Sequence, residues 1–231
     1  MTPDPALLDA EAEATDRARQ IEDRLRDVYG PPDKPVLDPL EELLLTVLSQ
    51  STTDHNRDTA WRALRIRFAD WEALRTARTE DVERTIRPAG LARQKTGTIL
   101  GILERLTEEV GRPDLGHLRE MSDAEALEYL SSFRGVGVKT AACVLCFSLR
   151  RPVLPVDTHV HRMALRLGFV EVGTDAVRTH RALNRLVPAE IRFSTHDQWI
   201  RHGRSVCTAR RPSCERCPLE DLCPRQGVPL S

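Results

Sequence analysis

Of the 34 basic residues in the chain only three are lysine, and one of them, Lys139, follows a glycine-rich turn: Arg134-Gly135-Val136-Gly137-Val138-Lys139-Thr140-Ala141-Ala142. Arginine stays protonated, whereas a lysine amine can lose its proton and form a Schiff base. The turn leads into an apolar helical run, Ala141 to Leu149. Free N–H groups at such a helix start converge on one point and suit an anion. The same pattern also serves as an ordinary tight turn with no ligand. Asp157 lies eighteen residues beyond Lys139, past a break at Pro152 to Pro155 where the chain can fold back. We read this as a phosphate-gripping hairpin that carries an amine nucleophile, with a carboxylate brought opposite it. The helix dipole and desolvation would move the amine from about 10.4 toward roughly 7–8, and a nearby carboxylate would oppose that.

A second constellation lies near the C-terminus. Cys207, Cys214, Cys217 and Cys223 read C-x6-C-x2-C-x5-C. Structural zinc sites more often use two close pairs with a longer spacer. One continuous wrap with uneven gaps fits a [4Fe–4S] cluster better, since that cluster takes four cysteine thiolates. Spacing alone leaves both metals open. Cys143 and Cys146 also read C-x2-C, but they sit on the apolar run after the hairpin and are expected to be buried and inert.

At 231 residues the chain can bury a sizeable core in one large domain or two small ones, and no apolar run reaches membrane-span length. The acidic start does not read as a signal peptide, which predicts a cytoplasmic protein. A net charge of −1 conceals an uneven distribution. Residues 1–42 carry −7 and residues 43–231 carry +6. Arg201, Arg204, Arg210, Arg211 and Arg216 gather near the cysteines with only Glu215 against them, which suits a phosphate backbone.

The elements that must position these groups read as helices throughout. A charge-laced, exposed helix is expected over residues 6–29, ending at Gly30-Pro31-Pro32. Asp38-Pro39 opens a helix with Leu40, Leu43, Leu44, Val47 and Leu48 on one face, and the next stripe is Trp61, Leu64 and Phe68. A short helix starts at Thr79 and ends at Pro88-Ala89-Gly90, an amphipathic one runs from Gln94 to Val110, and Ser122 with Glu125 forms a capping box. Asp157 or Thr158 can cap a helix to Leu167. Thr174 starts another, with Val177, Leu183 and Leu186 on one face, and Ser194 starts the last. Nothing alternates with period two, so no sheet is expected, and the last few residues are expected to be loose.

These segments together resemble the endonuclease III family of DNA glycosylases, helix-hairpin-helix proteins with a C-terminal iron–sulfur loop. Arg134 to Ala142 is similar to that family's hairpin, with Lys139 at its catalytic lysine. Val156-Asp157-Thr158-His159 is similar to its V-D-T-H segment, with Asp157 at the catalytic aspartate. His202-Gly203-Arg204 through Cys223-Pro224 resembles its cluster stretch and places the four cysteines at the [4Fe–4S] ligands. Leu48 to Asp54 resembles the L-S-x-Q-x-T-D loop, and Gly90-Leu91 with Lys95 the G-L-x-x-x-K loop. The likeness runs from about Pro39 to Pro224. One departure stands out: the family's gap-filling glutamine aligns with Ser51, while Gln50 is one place earlier.

The resemblance implies an all-α fold of two helical domains with a DNA-binding cleft between them. One is a six-helix domain over residues 33–150; the other joins 1–32 to 151–231 around the cluster. It implies a monomeric, bacterial, nucleoid-associated repair enzyme, a bifunctional DNA glycosylase/AP lyase that removes oxidised pyrimidines from duplex DNA. The hairpin backbone of Gly135, Val136, Gly137 and Val138 would hold a phosphate, and Leu91 would wedge between bases. Gln50 and Ser51 would help extrude the nucleotide, and Arg204, Arg210 and Arg211 would meet the DNA backbone. The alternatives are a monofunctional mismatch or adenine glycosylase, which usually lacks lysine at this position, and a non-catalytic binding module, which would need neither Lys139 nor Asp157.

Overall fold

The computed structural model describes residues 5–228, which form two units, 5–34 with 152–228 and Pro35–Arg151. Every regular element among the described residues is helical. None of these helices is long and apolar enough to cross a membrane. The expected looseness of the last residues falls on 229–231, outside the described residues.

In the unit Pro35–Arg151 the first helix, α2 (Pro39–Ser49), starts where Asp38 Oδ1 accepts from the Leu40 amide at 2.9 Å, with Pro39 in the first turn. Proline is tolerated there because its missing N–H would be unsatisfied anyway. Leu40, Leu43, Leu44, Val47 and Leu48 are buried, as their spacing predicts. Next come α3 (Asp54–Arg67), a short α4 (Trp71–Arg75) that the sequence pattern does not announce, and α5 (Thr79–Ile86). The helix α6 (Ala92–Val110) presents Ile99, Ile102, Leu103 and Leu106 to the core. The capping box forms at the start of α7 (Asp123–Ser131), with Ser122 and Glu125 each satisfying the other's backbone amide. The apolar run after the hairpin is α8 (Val138–Cys143) followed by a π turn over Val144–Ser148, with Cys143 and Cys146 both buried.

The other unit is built from α1 (Pro5–Tyr29), α9 (Thr158–Arg166), α10 (Ala176–Leu186) and α11 (Arg192–Ser205). The sequence reading of α1 as an exposed helix needs correction. Ala18, Ile21 and Leu25 are buried in the core of this unit with Met163, Leu183 and Trp199. Three apolar positions at i, i+3 and i+7 make a stripe too narrow to stand out among so many charges. The cap of α10 is Asp175 and not Thr174, its carboxylate accepting from the Arg178 amide at 2.8 Å. Val177 is 45% exposed, because the buried face of α10 runs through Thr179, His180, Leu183 and Leu186. The last helix begins at Arg192, two residues before the expected Ser194.

One buried cation ties the first of these units together around its loops. Lys95 on α6 is 2% exposed, and its Nζ donates to Leu48 O at 2.7 Å and to Ala89 O at 2.8 Å. Leu48 is in the last turn of α2, and Ala89 precedes the Gly90-Leu91 loop. Lys95→Met keeps the volume but strands both carbonyls, so we expect a loss of about 2–6 kcal/mol, given about 1–3 kcal/mol for each unsatisfied buried group. Urea unfolding followed by circular dichroism reads this out as a lowered midpoint at unchanged slope.

Candidate active site and cluster loop

The hairpin closes through Val136 N donating to Phe133 O at 3.0 Å, with Gly135 at φ +86°. A side chain there would be strained by the backbone alone. A Cβ on Gly135 would also collide with Thr98 Oγ1 on α6, so glycine is required for close approach as well. Gly137 stands at the N-cap of α8, and no side chain caps the helix start, which leaves first-turn amides for an external acceptor. Lys139 is the second residue of α8 and is half-buried.

Two loops meet this hairpin. Gln50 Nε2 donates to Gly135 O at 3.2 Å and to Thr140 Oγ1 at 3.4 Å. Ser51 follows at φ +50° and is exposed. On the other side, Leu91 takes a left-handed φ of +48° and is 54% exposed, an apolar side chain held outward by its backbone. Leu91, Arg93, Gln94, Gly97, Arg134 and Gly135 all line one groove. The structure thus brings Gln50, Leu91, the hairpin and Lys139 into one region of this unit. Arg93 was not singled out from sequence, and Arg134 only as the first residue of the hairpin, since a solvated arginine and a groove arginine look alike there.

In the other unit, Asp157 is the N-cap of α9. Its Oδ1 accepts from the His159 amide at 2.9 Å and the Val160 amide at 2.8 Å, which fixes the carboxylate at the head of the helix. Gly203 on α11 lies against the next turn, where a Cβ would sit 3.0 Å from His159 Cβ. That is the physical reason for glycine in the His202-Gly203-Arg204 segment. Arg162 bridges the same crossing, donating to Gly203 O at 2.7 Å and to Cys207 O at 3.0 Å.

Beyond α11 the four cysteine side chains line one cavity, walled by Val206, Pro212 and Val228 and by the buried Arg166. Arg166 donates to Thr208 O at 2.8 Å, to Ala209 O at 2.9 Å and to Cys207 Sγ at 3.2 Å. His202 Nε2 lies 3.3 Å from Cys217 Sγ, and Tyr29 Oη lies 3.1 Å from His202 Nδ1. Burial holds the His202 imidazole neutral, its pKa down to about 4. Burial and the neighbouring thiols push Cys217 up to about 11 and Cys223 upward as well. Such crowding disfavours free thiolates and is relieved when each sulfur shares its charge with iron. Four sulfurs ringed around a common space, two of them within reach of nitrogen partners, fit a multi-atom cluster.

Residues 44–189 match the HhH-GPD superfamily of base excision DNA repair proteins, and residues 207–223 match the iron-sulfur binding domain of endonuclease III. An endonuclease III of Thermotoga maritima is 36% identical over 186 residues, covering 80% of this chain and 83% of the relative. The chain belongs to the endonuclease III family. A protein of Arabidopsis thaliana described as a DNA glycosylase is 38% identical over 190 residues, 78% of this chain and 64% of its own length. A solved trapped endonuclease III–DNA covalent intermediate is similar with a TM-score of 0.77 at 27% identity, covering 90% of this chain and 96% of that one. As a member of the endonuclease III family the chain is a base-excision DNA repair enzyme, a glycosylase with AP lyase activity that acts on DNA, and it carries a [4Fe–4S] cluster.

One sequence reading shifts once these contacts are seen. Arg201 is not part of an open basic patch, because it donates to Tyr29 O at 2.6 Å and pairs with Asp197 at 3.0 Å. Arg166 and Tyr29, which reach the cluster loop, gave no signal in sequence, because nothing in the spacing of either marks it. For an endonuclease III family member with this hairpin, Gly135→Ala should cost about 1–3 kcal/mol of stability from the left-handed backbone alone. Abasic-duplex affinity should fall with it, and Thr98→Ala should relieve the collision without restoring the backbone. Thermal melts and fluorescence-anisotropy titrations of the single and double variants check this.

Proposed function

We propose that this chain excises oxidised pyrimidines from duplex DNA through an imine on Lys139, with Asp157 assisting, and works as a monomer on bacterial chromosomal DNA. The observation that carries the reading is Lys139 itself, half-buried in the first turn of α8 directly after a turn whose helix start lacks a side-chain cap. Main-chain amides of Gly135 to Val138 hold a phosphate and set register without reading sequence. Leu91 enters the stack and the damaged nucleotide swings out, which is cheapest for a base that is already poorly stacked.

The neutral Lys139 amine then attacks C1′. The C1′–N bond to the base breaks, the base departs with a proton, and ring opening gives a Schiff base. Removal of a proton from C2′ breaks the C3′–O bond and cuts the strand, and water releases the lysine. Asp157 stabilises the cationic character at C1′ and relays these protons. Cys207, Cys214, Cys217 and Cys223 hold the cluster, which has a structural task here. Exposed Arg204, Arg210 and Arg211 meet the phosphate backbone. The relatedness to a bacterial endonuclease III supports the cellular setting.

Borohydride reduction on a duplex with one thymine glycol tests the nucleophile. The wild-type protein should give a covalent adduct and Lys139→Ala none; abasic sites without an adduct would point instead to a water-using glycosylase. Asp157 allows a sharper separation, because asparagine caps a helix about as well as aspartate does. Asp157→Asn should leave the melting temperature within a degree or two, since the cap is worth about 1 kcal/mol and is kept. Its single-turnover excision rate should fall by about 10²–10⁴, the usual weight of a positioned proton-transfer group.

A further inference from the structure

The sequence reading gave Gln50 and Ser51 one shared task, helping to extrude the nucleotide. The geometry points to a division of that task. A glutamine that replaces an extruded base must offer its amide edge, donor and acceptor together, to the base left behind. Gln50 has already spent its donors inside the protein. A primary amide nitrogen carries two N–H groups, and Nε2 contacts two acceptors, Gly135 O and Thr140 Oγ1.

Those acceptors lie on either side of the hairpin's critical segment. Gly135 is the left-handed residue of the turn, and Thr140 is adjacent to Lys139 in the first turn of α8. The space over the Gly135 Cα is closed by Thr98 from α6, so Gln50 and Thr98 fix the same turn through different contacts. The backbone leading to Gln50 is itself held, since Leu48 O accepts from the buried Lys95 Nζ at 2.7 Å and Gln50 N donates to Val47 O at 3.3 Å. Ser51 then points away in a left-handed conformation with a side chain too short to fill the volume of a base.

We propose that Gln50 is a positioning residue that fixes the lysine-bearing hairpin, and that this chain discriminates little between bases opposite the lesion because neither Gln50 nor Ser51 fills the vacated space. The proposal rests on Lys139 being the nucleophile. Its force comes from geometry: a shift of about 1 Å in a reacting group can cost on the order of 10²-fold in rate.

The test uses holoprotein with its cluster loaded, as wild type, Gln50→Met, Gln50→Glu, Thr140→Val and Thr140→Ser. Gln50→Met keeps the length and removes both donors; Thr140→Ser keeps the hydroxyl acceptor that Thr140→Val deletes. Two quantities are read: the single-turnover rate of borohydride-trappable imine on an abasic duplex at saturating enzyme, and the affinity for an uncleavable abasic analogue opposite each of the four bases. We expect Gln50→Met, Gln50→Glu and Thr140→Val to slow imine formation by about tenfold or more, with affinities held within about twofold and their ranking across the four bases unchanged. Thr140→Ser should stay near wild type, a rescue that a merely destabilised protein would not show. The proposal is overturned if saturated rates are unchanged while affinity or opposite-base ranking collapses, which is the behaviour of a gap-filling residue. Unchanged rates and affinities together overturn it too, as does strong opposite-base discrimination by the wild type. If wild type itself gives no lysine adduct, the failure belongs to the nucleophile assignment, and the two failures are thereby distinct.

Discussion

A single buried ammonium organises the unit that carries the hairpin. Lys95 is almost wholly removed from solvent, and burial pushes its pKa downward. Its two carbonyl partners favour the charged form and oppose that shift. The geometry then has a simple consequence. The end of α2, which leads into Gln50 and Ser51, and the turn before Leu91 are held by one nitrogen, so the two loops cannot move independently of α6. The same helix contributes Thr98, which shapes the hairpin at Gly135. The loops beside the hairpin thus gain rigidity from one helix and one cation. Preorganisation of this kind matters for the proposed chemistry, in which Lys139 must reach a single carbon.

The other unit solves a comparable problem with arginine. Arg166 is 4% exposed, and its guanidinium spreads over the Cys207 to Ala209 segment, satisfying several carbonyls with the fork that lysine lacks. From the opposite side, Arg24 on α1 donates to Pro218 O at 3.0 Å and pairs with Asp221. An exposed pair of that kind contributes little by itself. Its relevance is placement, since it fastens the cysteine loop to a helix whose inner stripe is buried in the unit's core. Tyr29, at the end of the same helix, reaches the neutral His202 beside Cys217. When the sulfur is a thiolate ligand, the tautomer with hydrogen on Nε2 is favoured, and Tyr29 then donates to Nδ1. The acidic N-terminal helix is therefore part of the support for the cluster loop.

Much of this was legible in sequence, for identifiable reasons. Helix starts at Asp38, Ser122 and Asp157 could be read because a capping side chain acts on amides two or three residues away, a purely local event. The hairpin and the cysteine spacing were legible because they are short and rigidly patterned, and the match to the endonuclease III family followed from them. What could not be read were contacts made across many residues by side chains with no local signature. Arg166 gripping Cys207, and Gln50 bonding to a carbonyl 85 positions away, have no periodicity to betray them. The stripe of α1 was missed for a different reason, being three small or medium apolar residues in a helix dominated by charge.

Lys139 is the proposed nucleophile, and the chain's own composition makes one measurement unusually clean. Lys34, Lys95 and Lys139 are the only lysines. The borohydride-reduced DNA adduct, treated with nuclease and protease, can be mapped by tandem mass spectrometry to a residual deoxyribose mass on one of them. That mass is expected on Lys139, in the peptide that begins at Gly135, and on neither of the other two. A label on Lys34 or Lys95 would contradict that assignment directly, because the exposed hairpin would then be a binding element whose lysine takes no part in the chemistry.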